Sequence, residues 1–79
     1  MNHQEIMEKL LPIFVEVFDD EDITINDQTT ADDVEDWDSL AHLQLISAIE
    51  DNFNIHFSLG EINNFANVGE MADCIAKHL

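Results

Sequence analysis

Three stretches of the chain repeat apolar residues at intervals of three and four, which is the spacing of one face of a helix. They run from Gln4 to Phe18, from Asp38 or Ser39 to about Phe53, and from Val68 to Lys77. A capping signal predicts a fourth, shorter helix from Leu59 to Phe65. No stretch of useful length alternates apolar and polar residues as a strand does. The pattern predicts an all-α fold, a small four-helix bundle with three longer helices and one short helix.

The first predicted helix has a clear start and one interruption. Asn2 can cap it, with Glu5 three residues later as the reciprocal partner. Pro12 has no N–H to donate and crowds the carbonyl of Glu8. We therefore expect a kink or a locally broken turn at Pro12, although the apolar stripe continues in phase on both sides.

The second predicted helix has two distinct faces. The residues expected to face inward are Leu43, Leu45, Ile46, Ile49 and Phe53. Those expected to face solvent are Leu40, Gln44, Ser47, Glu50 and Asp51. Leu40 is thus an exposed apolar residue near the helix start.

The C-terminal part of the chain carries two further capping signals. Ser58 with Glu61 opens the short helix, and Asn67 with Glu70 opens the last one. The inward face of the last helix is predicted to contain Val68, Met71, Ala72 and Ile75. Cys74 falls in this apolar C-terminal stripe, so we interpret it as a small core residue rather than a reactive thiol.

Residues 19–36 are polar and acidic, with no sustained period, and predict a long loop. Ile23, Ile25 and Val34 are its apolar residues and should attach it to the core. Alternate oxygen-bearing residues from Asp20 onwards suggest a calcium loop. That reading is disfavoured, since an EF-hand would need Gly at Ile25 and a bidentate acid at Ala31.

Length and charge narrow the classes of function. The 79 residues fit a single domain, 1–79. Eighteen acidic residues against two lysines give a formal net charge of −16. Nucleic acid and anionic membrane are bound through Lys and Arg, so neither is expected as a partner. With no signal-peptide pattern and no paired cysteines, we expect a cytoplasmic monomer.

Ser39 is the main candidate for chemistry. A Ser in the first turn of a helix presents its hydroxyl beside unpaired N–H groups, a site that suits an anion. Asp38 is the expected N-cap. A catalytic role for Ser39 with His42 as base is disfavoured, because no nucleophile elbow or oxyanion loop is visible. His3, His42, His56 and His78 show no paired metal-ligand spacing, so no metal site is predicted.

Trp37-Asp38-Ser39-Leu40, after a long loop and before a helix, resembles the Asp-Ser-Leu attachment motif of the acyl carrier protein family. The order of the helices also resembles that of the family over nearly the whole chain. Along the second helix the residues at matching positions are Leu43, Leu45, Ile46, Ala48, Ile49, Glu50 and Phe53. It implies that Ser39 bears 4'-phosphopantetheine, whose thiol holds an acyl or aminoacyl group. The protein would then be a carrier and not an enzyme.

The resemblance also implies partners. A phosphopantetheinyl transferase would load the arm, with Asp38 helping to place its metal ion, and acyl- or aminoacyl-handling enzymes would dock on Leu40, Glu50 and Asp51. Trp37 is interpreted as a packing anchor in preference to a residue that stacks on the arm.

The exposed side of the second helix departs from the family pattern. Carriers of fatty acid synthesis usually have acids and an apolar residue where this chain has Ala41, Gln44 and Ser47. This difference favours a carrier from a specialised biosynthetic pathway. The alternative function is an acidic helical adapter that binds a basic or amphipathic partner helix and carries no prosthetic group.

Overall fold

A computed structural model describes all 79 residues and contains four α-helices and no strand. The helices are α1 (His3–Phe18), α2 (Ser39–Phe53), α3 (Leu59–Ile62) and α4 (Val68–His78), and one turn of 3-10 helix (Ala31–Asp33) lies in the loop before α2. The predicted all-α fold with three longer helices and one short helix is confirmed.

The caps of α1 form as the sequence indicates. The side chain of Asn2 accepts from the N–H of Glu5, and the Glu5 carboxylate accepts from the N–H of Asn2. The broken turn expected at Pro12 is absent, because α1 continues through it without interruption. Pro12 and Glu8 both lie on the solvent side, so the Glu8 carbonyl that loses its N–H partner is not trapped in the core.

The other helix starts also match, whereas α3 ends early. Ser58 and Glu61 form the predicted capping box, yet α3 is a single turn that ends at Ile62 rather than Phe65. At α4 only half of the predicted reciprocal pair forms. Asn67 accepts from the N–H of Glu70, while the Glu70 carboxylate accepts from the N–H of Ala66.

One apolar core holds the helices together, with α1 packed against α2 and α4. Its buried residues are Ile6, Leu10, Ile13, Phe14, Phe18, Leu45, Ile46, Ile49, Phe53, Ile55, Phe57, Val68, Met71, Ala72 and Ile75. The four residues predicted to face inward on α4 are all in this set. Ile55 and Phe57, from the segment that joins α2 and α3, are additions that helical periodicity did not predict.

Leu43 is a correction to the predicted inner face of α2, since its side chain is 58% exposed. At 3.6 residues per turn, Leu43 lies about 100° from the centre of the face formed by Leu45, Ile46 and Ile49. The one-turn α3 does not cover that edge. Leu43 therefore joins Leu40, three residues earlier, on the accessible side of α2.

The long loop is attached at both of its ends. Ile23, Ile25 and Val34 are partly buried against the core, as predicted. The loop is also hydrogen-bonded to the start of α4, where the N–H of Val68 donates to the carbonyl of Thr29 and the N–H of Gly69 donates to that of Asp27. A Cβ at position 69 would lie 2.9 Å from that Asp27 oxygen, so this contact requires glycine.

None of the helices is both long and apolar enough to cross a membrane.

Added salt should raise the melting temperature of the protein. No lysine lies within ion-pair distance of a carboxylate; every ion pair involves a histidine, and Lys9 lies over the ring of Phe53. Eighteen carboxylates therefore repel one another with little compensation. About 0.15 M salt shortens the screening length to about 8 Å. Thermal scans between low and moderate salt, and with Mg²⁺, test this. A melting temperature that stays constant or falls would contradict it.

Candidate functional site

Ser39 is the first residue of α2 and is exposed to solvent. Its hydroxyl makes no hydrogen bond within the chain, and the backbone N–H groups of Ser39 and Leu40 also have no acceptor. These are two of the donors that every helix start leaves unpaired. The site therefore offers an accessible hydroxyl beside backbone donors and the positive end of a helix dipole, and it fits a phosphate ester attached to Ser39.

Asp38 is the N-cap of α2, as predicted. Its Oδ1 accepts from the N–H of Ala41 at 2.8 Å, and its backbone carbonyl accepts from the N–H of His42 at 2.9 Å. The second carboxylate oxygen has no partner within the chain. Asp38 thus fixes the helix start with one oxygen and leaves the other available to a cation next to Ser39.

Trp37 anchors the segment that leads into Ser39. Its ring packs on Phe14 and Phe18, with centroid distances of 5.5 and 5.8 Å. Its indole N–H donates to Nδ1 of His42 at 3.0 Å. The interpretation of Trp37 as a packing anchor is confirmed. Trp37 also lines a shallow groove beside Ser39, together with His42, Leu43 and Asn63.

His42 has a structural role that the sequence did not reveal. Nδ1 accepts from Trp37, so Nε2 carries the proton and donates to the carbonyl of Ile62 at 2.8 Å. The ring thereby joins the loop, α2 and the end of α3. Both ring nitrogens are engaged, and neither can accept the proton of Ser39. This geometry gives His42 no role as a general base.

Two leucines make the surface next to Ser39 apolar. Leu40 is 66% exposed, in the orientation predicted for it, and Leu43 is exposed on the same side of α2. Leu59, at the start of α3, is a third exposed leucine that the sequence analysis did not single out. Exposed leucines on so charged a surface are typical of a contact site for partners.

The two acids near the end of α2 differ from each other. Asp51 is exposed, as expected. The side chain of Glu50 is only 21% exposed and accepts from the N–H of Phe57 at 2.8 Å. The expectation that Glu50 points freely into solvent needs correction, because the chain turns back after α2 and brings Phe57 over this carboxylate.

Cys74 lies partly buried on α4 and packs against the core. Burial, followed by its hydrogen bond to the Glu61 carboxylate, raises the pKa of the Cys74 thiol to about 11. The thiol is therefore protonated near neutral pH, which agrees with the interpretation that it is not a reactive nucleophile.

The comparisons with known proteins agree with this geometry. A family model described as a phosphopantetheine attachment site matches residues 8–75. The structure is similar to the solution NMR structure of holo acyl carrier protein from Geobacter metallireducens, with a TM-score of 0.86 and 43% sequence identity over 91% of this chain and 83% of that one. No curated protein sequence gives a significant match.

Proposed function

Because this chain belongs to the acyl carrier protein family, we propose that Ser39 is the residue that bears its 4'-phosphopantetheine arm. The protein is a carrier rather than an enzyme, and the arm supplies the thiol on which an acyl or aminoacyl group is held as a thioester. The contribution of the chain is to tether that group and present it, which raises its effective concentration at each partner enzyme.

One observation carries the proposal: the Ser39 hydroxyl is exposed and unpaired at the start of α2, beside two backbone N–H groups without acceptors. The chain has only two other serines. Ser47 lies in the middle of α2, and the hydroxyl of Ser58 accepts from the N–H of Glu61 as the cap of α3. Among the three serines, only Ser39 combines a free hydroxyl with unpaired backbone donors at the start of a helix.

The neighbours of Ser39 have separate tasks in this proposal. Asp38 caps α2 and, with its second oxygen, helps to place the metal ion of the phosphopantetheinyl transferase. Trp37 and His42 hold the loop and the helix start in a fixed position, so the transferase meets an ordered hydroxyl. Acyl- or aminoacyl-handling enzymes then dock on Leu40 and on the acidic end of α2, where Asp51 is exposed and the Glu50 carboxylate is held by the N–H of Phe57.

The surface of α2 supports a specialised pathway rather than housekeeping fatty acid synthesis. Gln44 and Ser47 are exposed and uncharged, and Ala41 is partly buried. The first turns of the helix thus present little charge to a partner, and recognition there depends on Leu40 and Leu43. We place this single-domain carrier in the cytoplasm as a monomer.

The test is direct loading. The chain is incubated with coenzyme A and a broad-specificity phosphopantetheinyl transferase, and its intact mass is measured. One phosphopantetheine should be added, and peptide mapping should locate it on Ser39. A chain that stays unmodified with several active transferases would refute the carrier function and favour the acidic adapter.

Substitution of Leu40 by Glu should slow loading by the transferase while the helicity is unchanged, because Leu40 is exposed and contributes little to the core. The matched control is Leu79→Glu, an exposed leucine at the end of the chain, which should load at the rate of the unaltered chain. The initial rate of coenzyme A-dependent loading is the measurement.

The acidic end of the same surface is tested separately. Asp51→Lys should mainly slow association, and the effect should shrink as salt increases. Glu50 is left intact, since its bond to the N–H of Phe57 would confound the result. If Leu40→Glu and Asp51→Lys both load at the rate of the unaltered chain, the docking surface lies elsewhere.

A further inference from the structure

Three side chains with different metal-binding atoms converge where α3 meets the end of α4. The Glu61 carboxylate, the Cys74 thiol and the His78 ring place their ligand atoms within 4.8 Å of one another. Cys74 and His78 are four residues apart and therefore lie on one face of α4. Glu61 reaches them from α3. The spacing of the histidines alone does not reveal this cluster, because its other two members are Glu61 and Cys74.

We propose that Glu61, Cys74 and His78 form a zinc-binding site, separate from Ser39, in which solvent completes the coordination. A thiolate, an imidazole and a carboxylate are the ligands that Zn²⁺ takes in proteins, and three protein ligands with one open position is an established arrangement for it. Hard cations such as Mg²⁺ prefer oxygen ligands alone, so the mixed set favours Zn²⁺ over Mg²⁺.

The distances suit a tetrahedral ion after a small adjustment. Zn–S bonds of about 2.3 Å and Zn–N or Zn–O bonds of about 2.0 to 2.2 Å place tetrahedral ligand atoms about 3.3 to 3.7 Å apart. Cys74 Sγ lies 3.2 Å from Glu61 Oε2, and His78 Nε2 lies 2.9 Å from the same oxygen. The ligands need to separate by about half an ångström. His78 is in the last turn of α4, where such a movement meets little resistance.

Neighbouring groups that are not ligands themselves also hold the ligands in place. The N–H of Ser58 donates to Glu61 Oε1 at 2.8 Å, which leaves Oε2 directed at the other two ligands. The His78 ring packs edge-on against Phe57 at 5.5 Å, and this contact keeps Nε2 turned toward Glu61. Outer contacts of this kind orient metal ligands in known sites.

The charges around the cluster favour a cation. The chain has a formal net charge of −16, and the last carbonyls of α4 are the negative end of its dipole. Glu70 and Asp73 line the same surface depression as Glu61 and Cys74, and Lys77 is the one positive group there. Zinc binding must release the Cys74 proton and displace the proton that His78 Nε2 donates to Glu61.

The test uses the full chain without a purification tag, kept reduced and shown by intact mass to be unmodified at Ser39, so that no arm thiol competes for metal. Co²⁺ is titrated first, because a tetrahedral thiolate site gives intense visible bands and a near-ultraviolet charge-transfer band. Zn²⁺ should displace it with a stoichiometry of one. Cys74→Ser should abolish the charge-transfer band. His78→Gln should weaken zinc binding by at least about 100-fold, because outer partners alone contribute about 10- to 100-fold.

The matched control is His3→Gln. His3 also lies between carboxylates, with Nε2 2.7 Å from Asp27 and Nδ1 3.4 Å from Asp73, but it has no thiol nearby. This variant should bind zinc as the unaltered chain does. Circular dichroism establishes that each variant is folded. The proposal would be overturned if the unaltered chain gave no charge-transfer band with Co²⁺. It would also be overturned if the unaltered chain, Cys74→Ser and His78→Gln bound zinc with equal affinity. Either result would leave only unspecific binding by surface acids. Loading at Ser39 is independent of either result.

Discussion

Replacement of Ser39 by Ala should abolish phosphopantetheine attachment completely while the domain stays folded. No other serine hydroxyl in the chain is both unpaired and beside unpaired backbone donors at a helix start, so a transferase has no equivalent serine to modify. The exposed hydroxyl makes no hydrogen bond within the chain, and its loss should change the free energy of unfolding by no more than about 1 kcal/mol. Intact mass after incubation with coenzyme A and transferase is the readout, together with a urea melt.

The two remaining serines provide matched controls for that experiment. Ser47→Ala removes an exposed hydroxyl from the same helix and should load normally. Ser58→Ala removes the cap of α3 and should cost about 1 kcal/mol of stability without preventing loading. If Ser39→Ala is still labelled, or if either control loses the label while folded, the attachment site has been assigned to the wrong residue.

The helix starts were predictable because each depends on a local exchange of hydrogen bonds. Asn2 with Glu5 and Ser58 with Glu61 form reciprocal pairs between residues three apart, and Asp38 caps α2 across the same interval. A sequence shows such short-range partners directly. The position of Ser39 follows, since a cap at Asp38 makes Ser39 the first residue of the helix.

The sequence-based predictions are wrong where the environment of a side chain depends on a distant segment of the chain. The helical period of α2 does not predict that the single turn of α3 leaves Leu43 exposed. It also does not predict that the N–H of Phe57 donates to the Glu50 carboxylate. His42 is a similar case. Its two hydrogen-bond partners are the indole N–H of Trp37 and the carbonyl of Ile62. They lie on separate segments, which meet at the His42 ring only when the chain is folded. Tertiary contacts, rather than local preference, determine these environments.

The cluster of Glu61, Cys74 and His78 shows how much of a site can be visible in advance. The i, i+4 spacing of Cys74 and His78 is present in the sequence and places both on one face of a helix. The third member comes from α3, and its approach depends on how α3 packs against α4. A sequence can thus indicate two ligands of such a site, while the third requires the fold.

Substitution of Phe14 by Ala should remove a large part of the stability of the domain. Phe14 is fully buried in the core, and its ring packs edge-on against Trp37 at 5.5 Å and beside Phe18 at 5.8 Å. Truncation of a buried Phe to Ala costs about 3 to 5 kcal/mol through lost transfer energy and the cavity that remains. A domain of this length has a total stability on the order of 4 to 12 kcal/mol, so the loss would range from about a quarter of the stability to all of it.

The same substitution should also impair loading at Ser39, because Phe14 supports the Trp37 ring that holds the segment before α2. Phe65→Ala is the matched control. Phe65 is only partly buried and contacts Phe57 and His42 at the edge of the core. Its truncation should lower the free energy of unfolding by less than about half as much as Phe14→Ala does. Urea denaturation at moderate salt measures both losses, and the loading rate is compared under conditions where each variant is folded. A loss below about 1.5 kcal/mol for Phe14→Ala would mean that the core collapses around the cavity. An unchanged loading rate in the folded variant would mean that Trp37 does not depend on Phe14 for its position.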